Sequence, residues 1–513
     1  MNSTRSGIID IGSNSVRLVI YEQIAQSAHR VIDESKHSAR LSEKVAADGT
    51  IPLDRLDPLV RILNDFRLLC QAHGVGKIRA VATAAVRNAV NSDAIVARLE
   101  QETGFSIQVL SGEEEAQLGF IGMINTIDVS DGFVIDIGGG STEISLFTGR
   151  RVLHSVSLPF GAVNMAKRFA TPEDGSMGPE QAKKLVEAVE QALTEEPWLR
   201  GGLHLGLPLV GLGGTVRSLC KIDQKARKYA LDTAHNYEMT ADSVEKWLDK
   251  LAELPPDKRK KVEGLSGDRT DIIVPGLLIL HTVFRHICAS HYVVSGAGLR
   301  DGLFFVMEYP ESPIFPDVLD YSVRNLLALH PSVPVPHVEH VHRLASQLFD
   351  QLGMGSEFGA RAKRYLQTAA LLYRIGVTVH YYSYHKHTFY LMAHARIDGL
   401  THREIVLCAL IATYKLKSKS RPPATGYTEL LEADDMMLVY KLGSILRLAI
   451  ALDRSETQPI RQVNARVVNQ ELQLDCICTQ APDIELRELK QAAKDFNKVL
   501  GLRLNVKTQA FSS

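Results

Sequence analysis

Asp136 ends an apolar run, Val134-Ile135-Asp136-Ile137. Gly138, Gly139 and Gly140 follow at once, then Ser141, Thr142 and Glu143. Residues of these types in this order point to phosphate chemistry. Consecutive glycines let the backbone turn sharply and bring its N–H groups close to a ligand. Successive N–H groups in such a turn form a cup for anionic oxygens. The hydroxyls of Ser141 and Thr142 add donors, and Asp136 is placed to hold a divalent cation, directly or through water. The turn is not a P-loop. It lacks Gly-Lys-Ser/Thr, and the alternating Ile144-Ser145-Leu146 that follows reads as a strand, not a helix.

A second copy lies near the start of the chain. Ile8-Ile9-Asp10-Ile11-Gly12-Ser13-Asn14-Ser15 aligns with the first stretch without a gap. Asp10 matches Asp136, Gly12 matches Gly138, and Ser15 matches Ser141, while Arg17 stands where the other copy has Glu143. Two strand–turn–strand units in one chain indicate a duplicated fold with both turns facing one cleft.

The elements that must position these turns follow from spacing. Residues 7–22 and the segment around Ile32 read as opening strands, and Leu59, Leu63, Phe66 and Leu69 give a helical stripe between Leu56 and His73. A short strand from Ile78 to Thr83 leads into a segment whose Arg87 is placed to reach back over the strand ends towards a phosphate. Ser106 to Leu110 is the next strand. Ser111 and Glu114 have capping-box spacing, so a helix begins there. Glu113, Glu114 and Glu115 on its first turn suit the helix dipole. A further strand ends in Gly213-Gly214-Thr215 and opens a helix, a second kind of anion site.

At 513 residues the chain is too long for one core, and its 45% hydrophobic and 23% charged composition is that of an ordinary globular protein. A net charge of −1 gives no global attraction to nucleic acid or membrane, so any polyanion site must be local. The sequence has no run of membrane-spanning length and no apolar signal region before the first strand, which leads us to expect a cytoplasmic protein without an integral membrane segment. Six cysteines make no disulfide framework, and Cys476 and Cys478 are expected to pack in a core.

The two turns resemble the phosphate motifs of the exopolyphosphatase and guanosine pentaphosphate phosphatase family. That family lies within the superfamily of actin, sugar kinases and heat-shock chaperone ATPases. The resemblance covers nearly the whole chain and is densest over residues 7–303. It implies two actin-like (ribonuclease H-like) α/β domains at 1–125 and 126–308. Glu115 matches the family's catalytic glutamate, and Arg87 and Arg269 match arginines of its cleft. Gly213-Gly214-Thr215 resembles the nucleoside-contacting motif of the superfamily's ATPases and is expected here to border the phosphate chain.

The implied chemistry is hydrolysis of a phosphoanhydride. Asp136 and Glu143 would hold Mg²⁺, Glu115 would orient the attacking water, and Gly12 to Ser15 and Gly138 to Ser141 would take the developing charge. The first expectation is exopolyphosphatase, releasing terminal orthophosphate from inorganic polyphosphate. The alternative is 5′-phosphate hydrolysis of guanosine pentaphosphate. A sugar kinase, or an actin-like ATPase acting as a filament or chaperone protein, are the rivals from other classes. The resemblance also implies a homodimer.

Prolines at 310, 313 and 316 mark a linker, and prolines at 331, 334 and 336 a second break. Residues 317–460 resemble a His-Asp metal phosphohydrolase bundle, but Tyr373-Arg374 stands where that superfamily carries His-Asp, and Lys415 where a histidine is common. Without paired ligands such a centre cannot hold its metals. The bundle is therefore expected to be non-catalytic, with Arg374, Lys386, Lys415, Lys417, Lys419 and Arg421 as a patch for the far end of a polyanion. Residues 461–513 read as a small α+β domain.

Overall fold

The computed structural model describes residues 4–25, 28–171, 176–200, 206–415 and 426–510. The chain divides into two compact units, residues 1–318 and 319–513.

The first unit holds two mixed sheets. In the first lobe, β1 (Thr4–Ile11), β2 (Ser15–Ala25) and β3 (Ala28–Ser38) form an antiparallel meander, and β4 (Lys77–Ala82) and β5 (Ile107–Val109) extend it in parallel from β1. The second lobe repeats this. β6 (Gly132–Ile137), β7 (Thr142–Thr148) and β8 (Arg151–Leu158) are the meander, β9 (Leu209–Leu212) runs parallel to β6, and β10 (Tyr237–Met239) and β11 (Tyr292–Val294) complete the sheet. The strand orders are β3-β2-β1-β4-β5 and β10-β11-β9-β6-β7-β8. The duplication expected of actin-like halves is therefore present strand for strand, with one added edge strand. Each lobe has its own core: Ile9, Leu63 and Phe66 in the first, Ile135, Val216 and Leu277 in the second.

Two helices cross between the lobes. Helix Gly112–Ile124 follows β5 of the first lobe, yet packs on the second sheet, with Phe120 against Phe147 at 5.4 Å between rings. Helix Leu299–Glu308 follows β11 of the second lobe, yet packs on β1, with Phe304 stacked on Tyr21 at 4.1 Å. The two helices touch through glycines. A Cβ on Gly122 would lie 2.1 Å from the Gly298 carbonyl oxygen, and one on Gly302 would lie 1.9 Å from that of Leu118. Only glycine fits at either place.

The second unit is helical and then αβ. Helices Val335–Gln351, Met354–Leu372, Tyr384–His394, His402–Ala412 and Asp435–Ala451 form the bundle. Helix Val318–Ala328 precedes them, between the two proline groups that the sequence marked as breaks. Pro336 does not interrupt: it sits in the first turn of its helix, where a missing N–H costs nothing. β12 (Ile460–Val468), β13 (Glu471–Cys478) and β14 (Arg503–Ala510) follow, with helix Asp483–Leu500 as the crossover between the parallel β13 and β14. Bundle and sheet share one core, in which Leu366, Ile445, Leu472 and Phe496 are buried together. Cys476 and Cys478 both point into it.

Candidate active site

The two turns are closed in the same way. Gly12 N–H donates to the Ser15 carbonyl at 3.1 Å, and Gly138 N–H to the Ser141 carbonyl at 2.9 Å. They face each other so closely that a Cβ on Gly139 would lie 2.9 Å from that of Ser13. Asn14 is buried, and neither its Nδ2 nor its Oδ1 has a partner among the described residues. An unsatisfied buried amide is costly, and this one lines the cavity between the turns.

That cavity brings together Gly12, Ser13, Asn14, Ser15, Gly138, Gly139, Ser141, Gly213, Gly214, Thr215, Glu115, Asp136 and Arg269. Other expected residues stand outside its lining. Thr142 is buried and spends its hydroxyl on the Phe160 carbonyl at 2.7 Å, and Gly140 packs against Ser13. Arg87 and Glu143 form a layer with Glu115. Arg87 Nη1 donates to Glu115 Oε2 at 2.8 Å and to the Leu110 carbonyl at 2.9 Å, and its Nη2 lies 4.0 Å from Glu143 Oε1. Ser157 Oγ donates to the same Glu143 oxygen at 2.8 Å. Arg87 thus reaches the acids, where the sequence suggested a phosphate.

Glu115 rises from the first turn of helix Gly112–Ile124, whose capping box between Ser111 and Glu114 is formed as the spacing required. Asp136 and Glu143 are register partners across β6–β7 and so share one side of the ladder. The acids oppose one another's ionisation. Burial pushes Glu115 up to about 7 against the pull of Arg87, with Asp136 and Asp10 adding to the rise. Burial also lifts Asp136 to about 6, and burial with Glu115 and Asp136 holds Glu143 well above the usual carboxylate range.

Four arginines crowd the rest of the cavity. Arg17, Arg217 and Arg300 line it beside Arg269. Burial, then repulsion from Arg300 and Arg217, brings Arg17 down to about 10, and burial lowers Arg217 and Arg269 as well. Sequence reasoning saw Arg17 only as the counterpart of Glu143, and missed Arg217 and Arg300. Both had a legible signal: each stands near the start of a helix that opens at a glycine turn past the carboxyl end of a parallel strand, Arg300 in the first turn and Arg217 at the start of the second, where α/β sheets bind ligands. Arg269 lies flat on the Gly213–Gly214 turn. A Cβ on Gly214 would fall 1.8 Å from its Nη2.

Ion pairs hold the lobes together beside Arg269. Arg40 Nη1 reaches Asp271 Oδ2 at 2.9 Å, its Nη2 donates to the Asp268 carbonyl at 3.1 Å, and Lys36 Nζ reaches Asp268 Oδ2 at 3.0 Å.

The donors suit a hard divalent cation in kind. They are carboxylate oxygens, buried and raising each other's pKa, which a bound cation would relieve. Among the described residues no three His, Cys, Asp or Glu side chains converge as a metal cage. Mg²⁺ does not need one, since it binds through one or two carboxylates and keeps waters and phosphate oxygens.

In the second unit, the residues grouped by sequence as a polyanion patch are divided. Arg374 is ion-paired with Glu456. Lys386 and Lys415 are exposed. Lys417, Lys419 and Arg421 lie outside the described residues. Among the described residues no helix is long and apolar enough to cross a membrane.

Comparison with known proteins agrees with this geometry. The chain is 28% identical to the Aquifex aeolicus member of the Ppx/GppA protein family, whose crystal structure it matches with a TM-score of 0.52 over 61% of this chain and 100% of that one. An exopolyphosphatase from Cytophaga hutchinsonii, 21% identical, shares the fold at a TM-score of 0.55 over 60% of this chain and 99% of that one. Residues 19–311 match the Ppx/GppA phosphatase family and residues 318–492 match its domain III, so the chain belongs to the Ppx/GppA phosphatase family.

Proposed function

We propose that within this family of phosphatases the chain acts as an exopolyphosphatase, hydrolysing the terminal phosphoanhydride bond of a linear polyphosphate. The observation that carries the reading is Arg269 lying on the Gly213–Gly214 turn. Where the superfamily's ATPases contact a nucleoside, this cleft carries a guanidinium, and Arg17, Arg217 and Arg300 surround it. Repeated phosphates supply an anion for each cation, and guanidinium forks bind phosphate oxygens well.

In this reading Glu115 accepts a proton from water as its oxygen attacks the terminal phosphorus. A P–O bond forms to the water oxygen as the anhydride P–O bond breaks, the bridging oxygen departs with the chain shortened by one phosphate, and the terminal group is released as orthophosphate. General-base help of this kind is worth roughly 10²–10⁴ in rate. The N–H groups of the two facing turns, with Asn14, Ser15 and Ser141, receive the charge on the terminal oxygens. The arginines hold the phosphates that follow. Enzymes of this family generally need divalent cations. Asp136 and Glu143 would hold one, and when bound it neutralises phosphoryl oxygens.

The test is phosphate release from long polyphosphate, guanosine pentaphosphate and ATP at matched concentration. Polyphosphate should give the highest kcat/KM. Faster release from guanosine pentaphosphate would assign the second family activity instead, and preference for ATP would overturn both.

A further inference from the structure

His337, in the second unit, is buried and fully engaged. Its Nδ1 bonds Asp453 Oδ2 at 2.7 Å and its Nε2 bonds the Tyr373 hydroxyl. Asp453 Oδ1 in turn accepts from the Gln458 backbone N–H at 2.7 Å. Both ring nitrogens and both carboxylate oxygens are therefore spent inside the protein. This group can neither ligate a metal nor serve as a base. It forms the floor of a cavity of about 220 Å³, room for more than a single ion.

The rest of that cavity is cationic and aromatic. Arg374, Arg447 and Arg454 line it with Tyr381 and Tyr384. Arg374 is paired with Glu456, and Arg454 Nε stands 3.9 Å from Glu488 Oε1. Arg447 is exposed and makes no ion pair among the described residues. Tyr384 is half-buried at the meeting point of the three arginines: burial raises its hydroxyl pKa while Arg374, Arg447 and Arg454 pull it back. Tyr381 is 64% exposed at the rim, a large aromatic face left in solvent. Lys415 lies close enough to both Arg447 and Lys386 to be lowered by burial and then by these two neighbours. Positive charge thus outweighs Glu456 and Glu488 around the opening.

We propose that this cavity binds a nucleoside phosphate, with its phosphates on Arg447, Arg454 and Arg374 and its base against Tyr381 and Tyr384. Guanidinium forks match phosphate oxygens, and tyrosine faces stack bases with little regard to their identity. Neither feature alone selects this ligand. Fixed cations alone would suit any phosphate, and the tyrosine pair beside them adds the demand for a ring. With the His337–Asp453 pair internally satisfied, the ligand is held and not cleaved, so this is a binding site separate from the catalytic cleft. The assignment does not depend on which phosphoanhydride the cleft hydrolyses.

The experiment is photo-crosslinking of the full chain with an azido-purine nucleoside triphosphate, followed by tryptic mapping. Label is expected in the peptide 375–386, which carries Tyr381 and Tyr384. An excess of unmodified nucleotide should displace it, and equimolar tripolyphosphate should not. Arg447→Ala with Tyr381→Ala should cut this labelling by roughly tenfold or more, the value of a lost charge-assisted contact. Both residues are exposed, so folding and phosphate release from short polyphosphate should be unchanged. Label confined to peptides of the cleft would overturn the proposal. Full labelling of the double variant would do the same. Equal displacement by tripolyphosphate would make this a bare polyphosphate contact and overturn the nucleoside assignment.

Discussion

Arg87 Nη1 holds Glu115 Oε2 at 2.8 Å, and this one bond opposes the burial that lifts the glutamate to about 7. A general base works only when deprotonated. The kcat/KM for phosphate release should therefore rise with pH through the neutral range. Arg87→Gln removes the group that favours the charged carboxylate, so the acid limb of the profile should move to higher pH. A limb that stays in place, or moves down, would separate Arg87 from the base.

The same raised pKa makes Glu115 a cost to the fold. Its folded value lies above its unfolded one, so its contribution to stability is fully present below about pH 4.5 and is lost as pH rises through about 7. Glu115→Gln keeps size and hydrogen bonding and should lose roughly 10²–10⁴ in turnover. In thermal melts it should also be more stable than wild type at pH 8, by roughly a few degrees, with the two converging at pH 5. Equal melting temperatures at both pH values would show that the acid cluster carries no folding penalty.

Arg300 and Arg217 were not predicted from sequence as site residues, and they test the cleft independently. Arg300→Ala should raise KM for polyphosphate roughly 10–100-fold, as expected for a lost charge-assisted contact, with kcat changed less. The wild-type advantage should shrink with added salt, because exposed parts of a polyanion contact are screened. An unchanged KM would remove this arginine from substrate binding.

Gly302 tests the crossing of the two inter-lobe helices. Gly302→Ala forces a methyl onto the Leu118 carbonyl, where a Cβ would stand 1.9 Å from the oxygen. The backbones must part, at a cost of about 1–3 kcal/mol or more. Both melting temperature and turnover should fall, although Gly302 does not line the cavity. Normal turnover in a folded variant would show that the spacing of the helices does not set the site.

Much of the site was legible because its chemistry is local in sequence. Asp10 to Ser15 and Asp136 to Ser141 each carry a strand, a turn and donors within a few residues, and the gapless match between them revealed the duplication. The capping box at Ser111 and Glu114 likewise fixed where Glu115 begins its helix. What stayed hidden was which side chains meet across long separations. Arg87 reads as a phosphate ligand until the fold brings it to Glu115, and Thr142 reads as a phosphate donor until Phe160 claims its hydroxyl. In the second unit, the change to Tyr373-Arg374 was visible, but not that His337, Tyr373 and Asp453 satisfy one another.

The glycine crossing makes the two lobes share a bearing. Glu115 stands on the first turn of one crossing helix and Arg300 on the first turn of the other, and the helices touch backbone to backbone at Gly122 and Gly302. A rocking of one lobe against the other about that contact would swing both ends from a common axle. The base and the grip on the substrate would then stay in step through opening and closing. The latch of Arg40 and Lys36 on Asp271 and Asp268 would be the part that lets go.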